Sequence, residues 1–191
     1  MKTKNIMIVG VGGQGTLLAS KLLGKLLLGR GYDVKVSEVH GMSQRGGSVI
    51  TYVRWGDKVY SPIIDKGQAD MVLSFELLEA ARYLEYLAPT GVVVTNTQQM
   101  NPMPVIIGAA EYPADLCGQM RDRGIKLDAI DALELARQAG SAKAVNLVLL
   151  GRLSHYFDFT AEEWDKAIES SVPSAFLEVN RRAFALGRDA E

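Results

Sequence analysis

Residues 5–28 read NIMIVGVGGQGTLLASKLLGKLLL, and the hydrophobic period changes inside this stretch. Ile6, Met7, Ile8 and Val9 form an unbroken apolar run, the pattern of a strand buried on both faces. From Leu17 onward the leucines recur at helical spacing until GRG at residues 29–31 ends the pattern. Between strand and helix lie Gly10, Gly12, Gly13, Gln14 and Gly15, with Gly10, Gly12 and Gly15 in a G-x-G-x-x-G pattern. Glycines there allow a tight turn and let a diphosphate approach the backbone N–H groups at a helix N-terminus. Glu38 lies near the end of the next strand-like run, roughly 20 residues on, where a ribose-binding carboxylate is expected. Alone, this stretch reads as a Rossmann-like dinucleotide-binding unit. The plainer reading is that the glycines serve close strand–helix packing.

Working outward, the second strand DVKVSEV (33–39) lacks the crossover helix that continued parallel winding requires. HGMSQRGG (40–47) follows instead, and SVITYVRWGDKVYS (48–61) reads as a hairpin joined at Gly56–Asp57. ADMVLSF (69–75) is a buried strand, and ELLEAARYLEYL (76–87) a helix closed by Pro89 and Gly91. GVVVTNT (91–97) restores a strand, and residues 98–113 form a loop with a short strand at VIIG (105–108). ADLCGQMRDRG (114–124) reads as a helix that Gly118 weakens; IKLDAID (125–131) leads into the helix ALELARQA (132–139).

The last third is helical. AKAVNLVLLGRLSHYF (142–157) is apolar nearly all round, as a deeply buried helix is. Thr160 with Glu163 is a capping box for the next helix, and Pro173 ends it. SAFLEVNRRAFALG (174–187) puts Phe176, Val179, Ala183 and Leu186 on one face. The alternation predicts one α/β domain over residues 1–191. It is a three-layer α/β/α unit with a mainly parallel, mixed sheet and a helical C-terminal third.

Composition narrows the function. With 21 basic and 22 acidic residues the charges nearly cancel, and no basic stripe marks a nucleic-acid surface. Cys117 is the only cysteine, so the chain makes no internal disulfide and supplies no iron–sulfur ligand set. Apolar runs such as NLVLL are far too short to span a membrane, and MKTKNIMIVG enters a strand without a signal-peptide pattern. A cytoplasmic protein is expected.

GVGGQG, HGMSQRGGSV, VYSPII and ADMVLSFELLEAAR, in that order, resemble the gamma domain of 2-oxoacid:ferredoxin oxidoreductases, most nearly that of the indolepyruvate type. The likeness runs over nearly the whole chain, including NLVLLGRLSHYF. It implies an accessory subunit of an enzyme that decarboxylates a 2-oxoacid on thiamine diphosphate, passes electrons through iron–sulfur clusters to ferredoxin, and yields an acyl-CoA. For the indolepyruvate type the substrates are arylpyruvates. This chain lacks a G-D-G motif with a downstream asparagine pair for magnesium and thiamine diphosphate; GDK at Gly56 reads as a turn. Thiamine diphosphate, magnesium and 4Fe-4S clusters are therefore expected in a larger partner subunit, with coenzyme A as co-substrate. No cofactor or metal is expected on this chain alone, and the isolated chain is expected to be inactive, with a homodimer possible. The alternative is a stand-alone dinucleotide-binding or regulatory module.

The candidate contact residues lie in the two glycine-containing motifs. Arg45 carries a planar, permanently charged fork suited to a carboxylate or phosphate. Gly46 and Gly47 allow close approach by another chain, and Gln44 and His40 add hydrogen-bonding groups. This loop is expected to face the partner's active site or an anionic part of substrate or coenzyme A. The competing reading has Arg45 capping carbonyls or pairing with Glu38. His40 is the one acid–base candidate, but it lacks an orienting carboxylate at a telling spacing. His155 reads as a core or interface histidine and Cys117 as a buried small residue. Tyr60, Ser61 and Pro62 read as edge strand, Trp55 and Trp164 as packing, and the helix from Leu17 as core.

Overall fold

The computed structural model describes residues 2–39 and 47–190. His40, Gln44, Arg45 and Gly46 lie outside the described residues. β1 (Lys4–Val11) is buried at every residue after Lys4, as its unbroken apolar run requires. It is flanked by β3 (Ser48–Gly56), antiparallel, and β4 (Ala69–Ser74), parallel. β2 (Asp33–Val39) pairs antiparallel with β3 at one edge; β5 (Leu87–Asn96) and β6 (Lys126–Ile130) continue in parallel beyond β4. The order is β2-β3-β1-β4-β5-β6, and only β3 runs against the other strands. The mixed sheet is as expected.

Strand side chains alternate between two apolar layers. Ile6, Ile8, Val53, Trp55, Leu73 and Val94 face one layer. It is built from α1 (Thr16–Gly29), α5 (Ala132–Ala139), α6 (Val145–Leu153), α7 (Ala161–Glu169) and α8 (Leu177–Asp189). Met7, Val9, Tyr52, Val72 and Val93 face the other, closed by α2 (Leu77–Arg82) and α4 (Leu116–Asp122). Only Arg152 escapes burial in α6, as its apolar pattern predicts. The Thr160–Glu163 capping box forms at the start of α7.

Five expectations are corrected. The hairpin is β2–β3, not a pair joined at Gly56–Asp57: both hydrogen-bonding edges of β3 are taken by β1 and β2, leaving none for a following strand. The chain after Gly56 is drawn aside instead, with Val59 N–H donating to Asp33 Oδ2 at 2.9 Å. Tyr60, Ser61 and Pro62 are accordingly irregular backbone rather than edge strand, and the Arg54 guanidinium gathers the carbonyls of Ser61 and Ile63. VIIG is no strand either. Pro102 and Pro104 favour a helix start, and Met103–Ile106 makes one helical turn, α3.

α2 stops at Arg82, and β5 begins earlier than predicted, at Leu87, with a register shift opposite Ala69 and Met71 that takes in Pro89. Phe176 precedes α8 and is 58 % exposed; Asn180, Ala183, Phe184 and Gly187 form the buried face, with Val179 and Leu186 at its margins. That face meets α6 at backbone contact. A Cβ on Gly187 would sit 1.9 Å from Val148 O, and one on Gly151 2.0 Å from Phe184 O.

Candidate functional site

The carboxyl ends of β1, β4, β5 and β6 share one edge of the sheet, where β2 also ends and β3 begins. From adjacent strands, α1 leaves β1 toward one face and α2 leaves β4 toward the other. A crevice opens where connections diverge in this way, and ligands bind there in open α/β sheets.

The glycine loop is held open by its own glutamine. Gln14 Oε1 accepts Val11 N–H at 2.7 Å, and Gln14 Nε2 donates to Phe75 O, just past β4, at 3.1 Å. Gly10 lies buried in β1 beneath that amide. Gly13 (φ 97°) and Gly15 (φ 88°) adopt left-handed backbone, and a Cβ on Gly15 would stand 3.0 Å from Asn146 Nδ2. Gly15 begins α1 with no side-chain cap. Gly12 N–H donates to Gly47 O at 2.9 Å, so the two sequence motifs, some 30 residues apart, meet.

Beside this loop lies a cleft of 510 Å³ between Gly12–Gly15, Gln98, Met100, Leu133, Lys143 and Val145. The start of α1 at Gly15 borders it without a side-chain cap, and the exposed Lys143 lies in the 3-10 turn (Ala142–Ala144) that leads into α6. The uncapped N-terminus of α1, its helix dipole and an ammonium favour a negatively charged group; Met100, Leu133 and Val145 offer it an apolar wall.

Behind the cleft, the end of β4 is a polar knot. Glu76 is 1 % exposed, and its carboxylate accepts Met100 N–H (3.0 Å), Tyr112 O–H (2.6 Å) and Glu79 N–H (2.8 Å). Leu77 N–H donates to Gln98 O. Asn96, fully buried, donates to Phe75 O and accepts Ala132 N–H, tying β4, β5 and α5 together. Ser48 Oγ donates to Glu79 Oε2 and also meets Tyr83 Oη at 2.9 Å. Burial raises the Glu79 carboxyl above the ordinary carboxylate value, and burial with the Glu76 hydrogen bond raises the Tyr112 phenol.

Of the predicted site residues, the structure brings Gly10, Gly12, Gly13, Gln14, Gly15 and Gly47 together; His40, Gln44, Arg45 and Gly46 lie outside the described residues. Glu38 is not placed like a ribose ligand. β3 separates β2 from β1, and Ser20 Oγ of α1 donates to Glu38 Oε1 at 3.1 Å. His155 is exposed rather than core, its Nε2 2.6 Å from Arg188 O. Trp55 and Trp164 pack as expected. The helix from Leu17 is core along Ala19, Leu22, Leu23, Leu26 and Leu27, while Leu17 itself is largely exposed.

Cys117 is half-buried, and burial raises its thiol, the opposite of what a thiolate ligand needs. The Gly56–Asp57–Lys58 turn lies at the far end of the sheet from the glycine loop, beside the start of β1. Neither fits a resident cluster or thiamine site. Among the described residues no group of three or more His, Cys, Asp and Glu side chains is placed to hold a metal. Reading by motif missed Glu76, Glu79, Asn96, Gln98, Met100, Lys143 and Asn146. The available signal was the polar residue closing each buried strand: Ser74 and Glu76 after ADMVL, Asn96 after GVVVT.

The pyruvate ferredoxin/flavodoxin oxidoreductase family model matches residues 5–190. The chain belongs to this family. Indolepyruvate oxidoreductase subunit IorB of Thermococcus kodakarensis is 47% identical over 98% of this chain and 95% of its own length; that of Pyrococcus horikoshii is 46% identical over the same shares. Among solved structures, the fold of this oxidoreductase-family chain matches the gamma subunit of a keto/oxoacid ferredoxin oxidoreductase from Geobacter sulfurreducens. There the TM-score is 0.72 and identity 24%, over 97% of this chain and 96% of that one. It also matches 2-oxoglutarate:ferredoxin oxidoreductase from Magnetococcus marinus, with TM-score 0.75 and 19% identity, over 98% of this chain and 31% of that longer one.

Proposed function

We propose that this chain is the small accessory subunit of an indolepyruvate-type 2-oxoacid:ferredoxin oxidoreductase, one gamma-type domain over residues 1–191 that works in the cytoplasm. The observation that carries the reading is 47% identity spread over 98% of this chain and 95% of a subunit named for indolepyruvate. In the complex an arylpyruvate loses carbon dioxide. The electron pair left on its acyl carbon passes to ferredoxin, and coenzyme A takes the acyl group. Thiamine diphosphate with magnesium, and 4Fe-4S clusters, belong to the larger subunit and supply the carbanion and electron-transfer chemistry.

This chain contributes the sheet edge that carries both glycine motifs. Gly10, Gly12, Gly13, Gln14, Gly15 and Gly47, with His40, Gln44, Arg45 and Gly46, form the surface that meets the partner or an anionic part of its substrates. Arg45 supplies a bidentate fork and the loop beside α1 supplies N–H groups. His40 is the only acid–base candidate among them. The rival reading, a stand-alone dinucleotide module, loses its carboxylate because β3 displaces Glu38 from β1.

The test is reconstitution. Arylpyruvate- and coenzyme A-dependent reduction of ferredoxin should appear when this chain is combined with the thiamine- and cluster-binding subunit, and with neither alone. Turnover by the rigorously purified single chain, or none by the complex, overturns the reading.

A further inference from the structure

Glu76 and Glu79 are an unusual pair. Both are nearly fully buried, at 1 % and 4 % exposed, and they stand three residues apart at the start of α2. The only cation paired with either among the described residues is Arg82, partly exposed, whose Nε lies 3.6 Å from Glu79 Oε1. Burying a carboxylate costs free energy that neutral donors only partly offset, so a core with no use for the charge is better built apolar. Here the two side chains hold two separate stretches of chain that wall the cleft, one at Met100 and one at Gly12. Glu76 holds Met100 and Tyr112, which fix the segment running on from β5. Glu79 holds Ser48, next to Gly47, whose carbonyl receives the glycine loop through Gly12 N–H. The two are joined directly, Glu79 N–H donating to Glu76 Oε2.

We propose that Glu76 and Glu79 act as a linked pair of positioning residues that sets both walls of the cleft, and through them the alignment of this edge in the assembled enzyme. The inference rests on the reading of the chain as an oxidoreductase subunit. Neither carboxylate lines the cleft, so each acts through the backbone it holds.

The test uses Glu76→Gln and Glu79→Gln, which keep side-chain size and remove charge. Milder variants are Tyr112→Phe and Ser48→Ala, which remove only the hydroxyl each carboxylate receives. Amide hydrogen exchange on the whole chain reports the walls through Met100 and Gly12. Neutralising Glu76 should speed exchange at Met100 by about tenfold, and neutralising Glu79 should do so at Gly12. Core amides of β1 and β4 should stay unchanged. In the reconstituted complex, KM for indolepyruvate or coenzyme A should rise about tenfold in the carboxamide variants, because misplaced walls weaken engagement.

A merely structural role would reduce the amount of active complex, lowering kcat with KM unchanged. Variants that melt lower yet show wild-type exchange at Met100 and Gly12 and wild-type KM overturn the proposal. If a carboxamide variant does not fold, the hydroxyl deletions carry the same two readouts and decide the question in the same way. An inactive wild-type complex would instead sink the functional reading, while the exchange arm still decides whether the pair holds the walls.

Discussion

Gln14 shows how little a residue's type reveals of its employment. It sits in the middle of the loop expected to meet a ligand, yet its carboxamide is spent on Val11 and Phe75, bracing the loop against β4. Sequence shows where the loop is; only the fold shows that one side chain in it is scaffold. Arg45 allows the opposite test. If it grips an anionic group, Arg45→Lys should weaken assembly or raise KM despite keeping the charge, because lysine lacks the fork. Arg45→Ala should cost about 2–5 kcal/mol of binding where the pair is buried at an interface. Unchanged assembly and turnover beside a lowered Tm would make Arg45 structural. A second residue-scale expectation concerns pH. Arg30 hydrogen-bonds Glu163 through two contacts at 2.6 and 2.8 Å and brings the Glu163 carboxyl down to about 2. A lowered folded-state pKa means the contribution is full above the ordinary carboxylate value and fades as pH falls from there through about 2. Glu163→Gln, which can keep the capping-box geometry at Thr160, should therefore melt below wild type at neutral pH. The gap should close on acidification. A gap that persists below the folded pKa would show that the pair is not its source.

At the scale of elements, legibility follows the strength of the local signal. β1, α1, α6 and α7 are readable because buried runs, helical spacing and a capping box are written in contiguous residues. One misreading falls where a distant strand decides, another where a local signal is outweighed by an apolar run. Nothing in SVITYVRWG says that β1 and β2 will occupy both its edges, so the following VYS reads as its partner. VIIG looks like a strand until the helix-starting effect of its preceding prolines is weighed. The α6–α8 crossing is also hidden, because close approach is a property of two helices and sequence displays one at a time. Gly151 and Gly187 let the backbones touch. Gly187→Ala should therefore destabilise despite alanine's better helix propensity, since the new methyl meets a carbonyl that cannot swing away. A loss on the order of 3 kcal/mol is expected, or roughly 6–12 °C in Tm for a chain of this size. An unchanged or raised Tm would mean that the crossing relaxes freely.

At the scale of the whole molecule, one insertion changes what the glycine loop can do. By running back between β1 and β2, β3 moves Glu38 a strand away from the loop and brings Gly47 to Gly12 instead. The loop whose pattern suggests a dinucleotide is thereby joined to the chain entering β3. The sequence order of the two motifs hints at this, but their contact needs the strand order. Among the described residues, exposed apolar groups are spread over several parts of the surface, Tyr60, Ile63 and Phe176 standing apart from two groups. Leu17, Leu28, Val36 and Val39 lie along α1 and β2, and Met103, Ile106 and Ile107 lie on and just after α3. Isolated from its partner, a chain presenting such surfaces should associate with itself. Light scattering across a concentration series should give a homodimer or larger species for the chain alone. Adding the larger subunit should replace that species by the mixed complex. A monomer at every concentration would mean that these side chains are too scattered to drive association, and that the partner engages the edge through its polar groups.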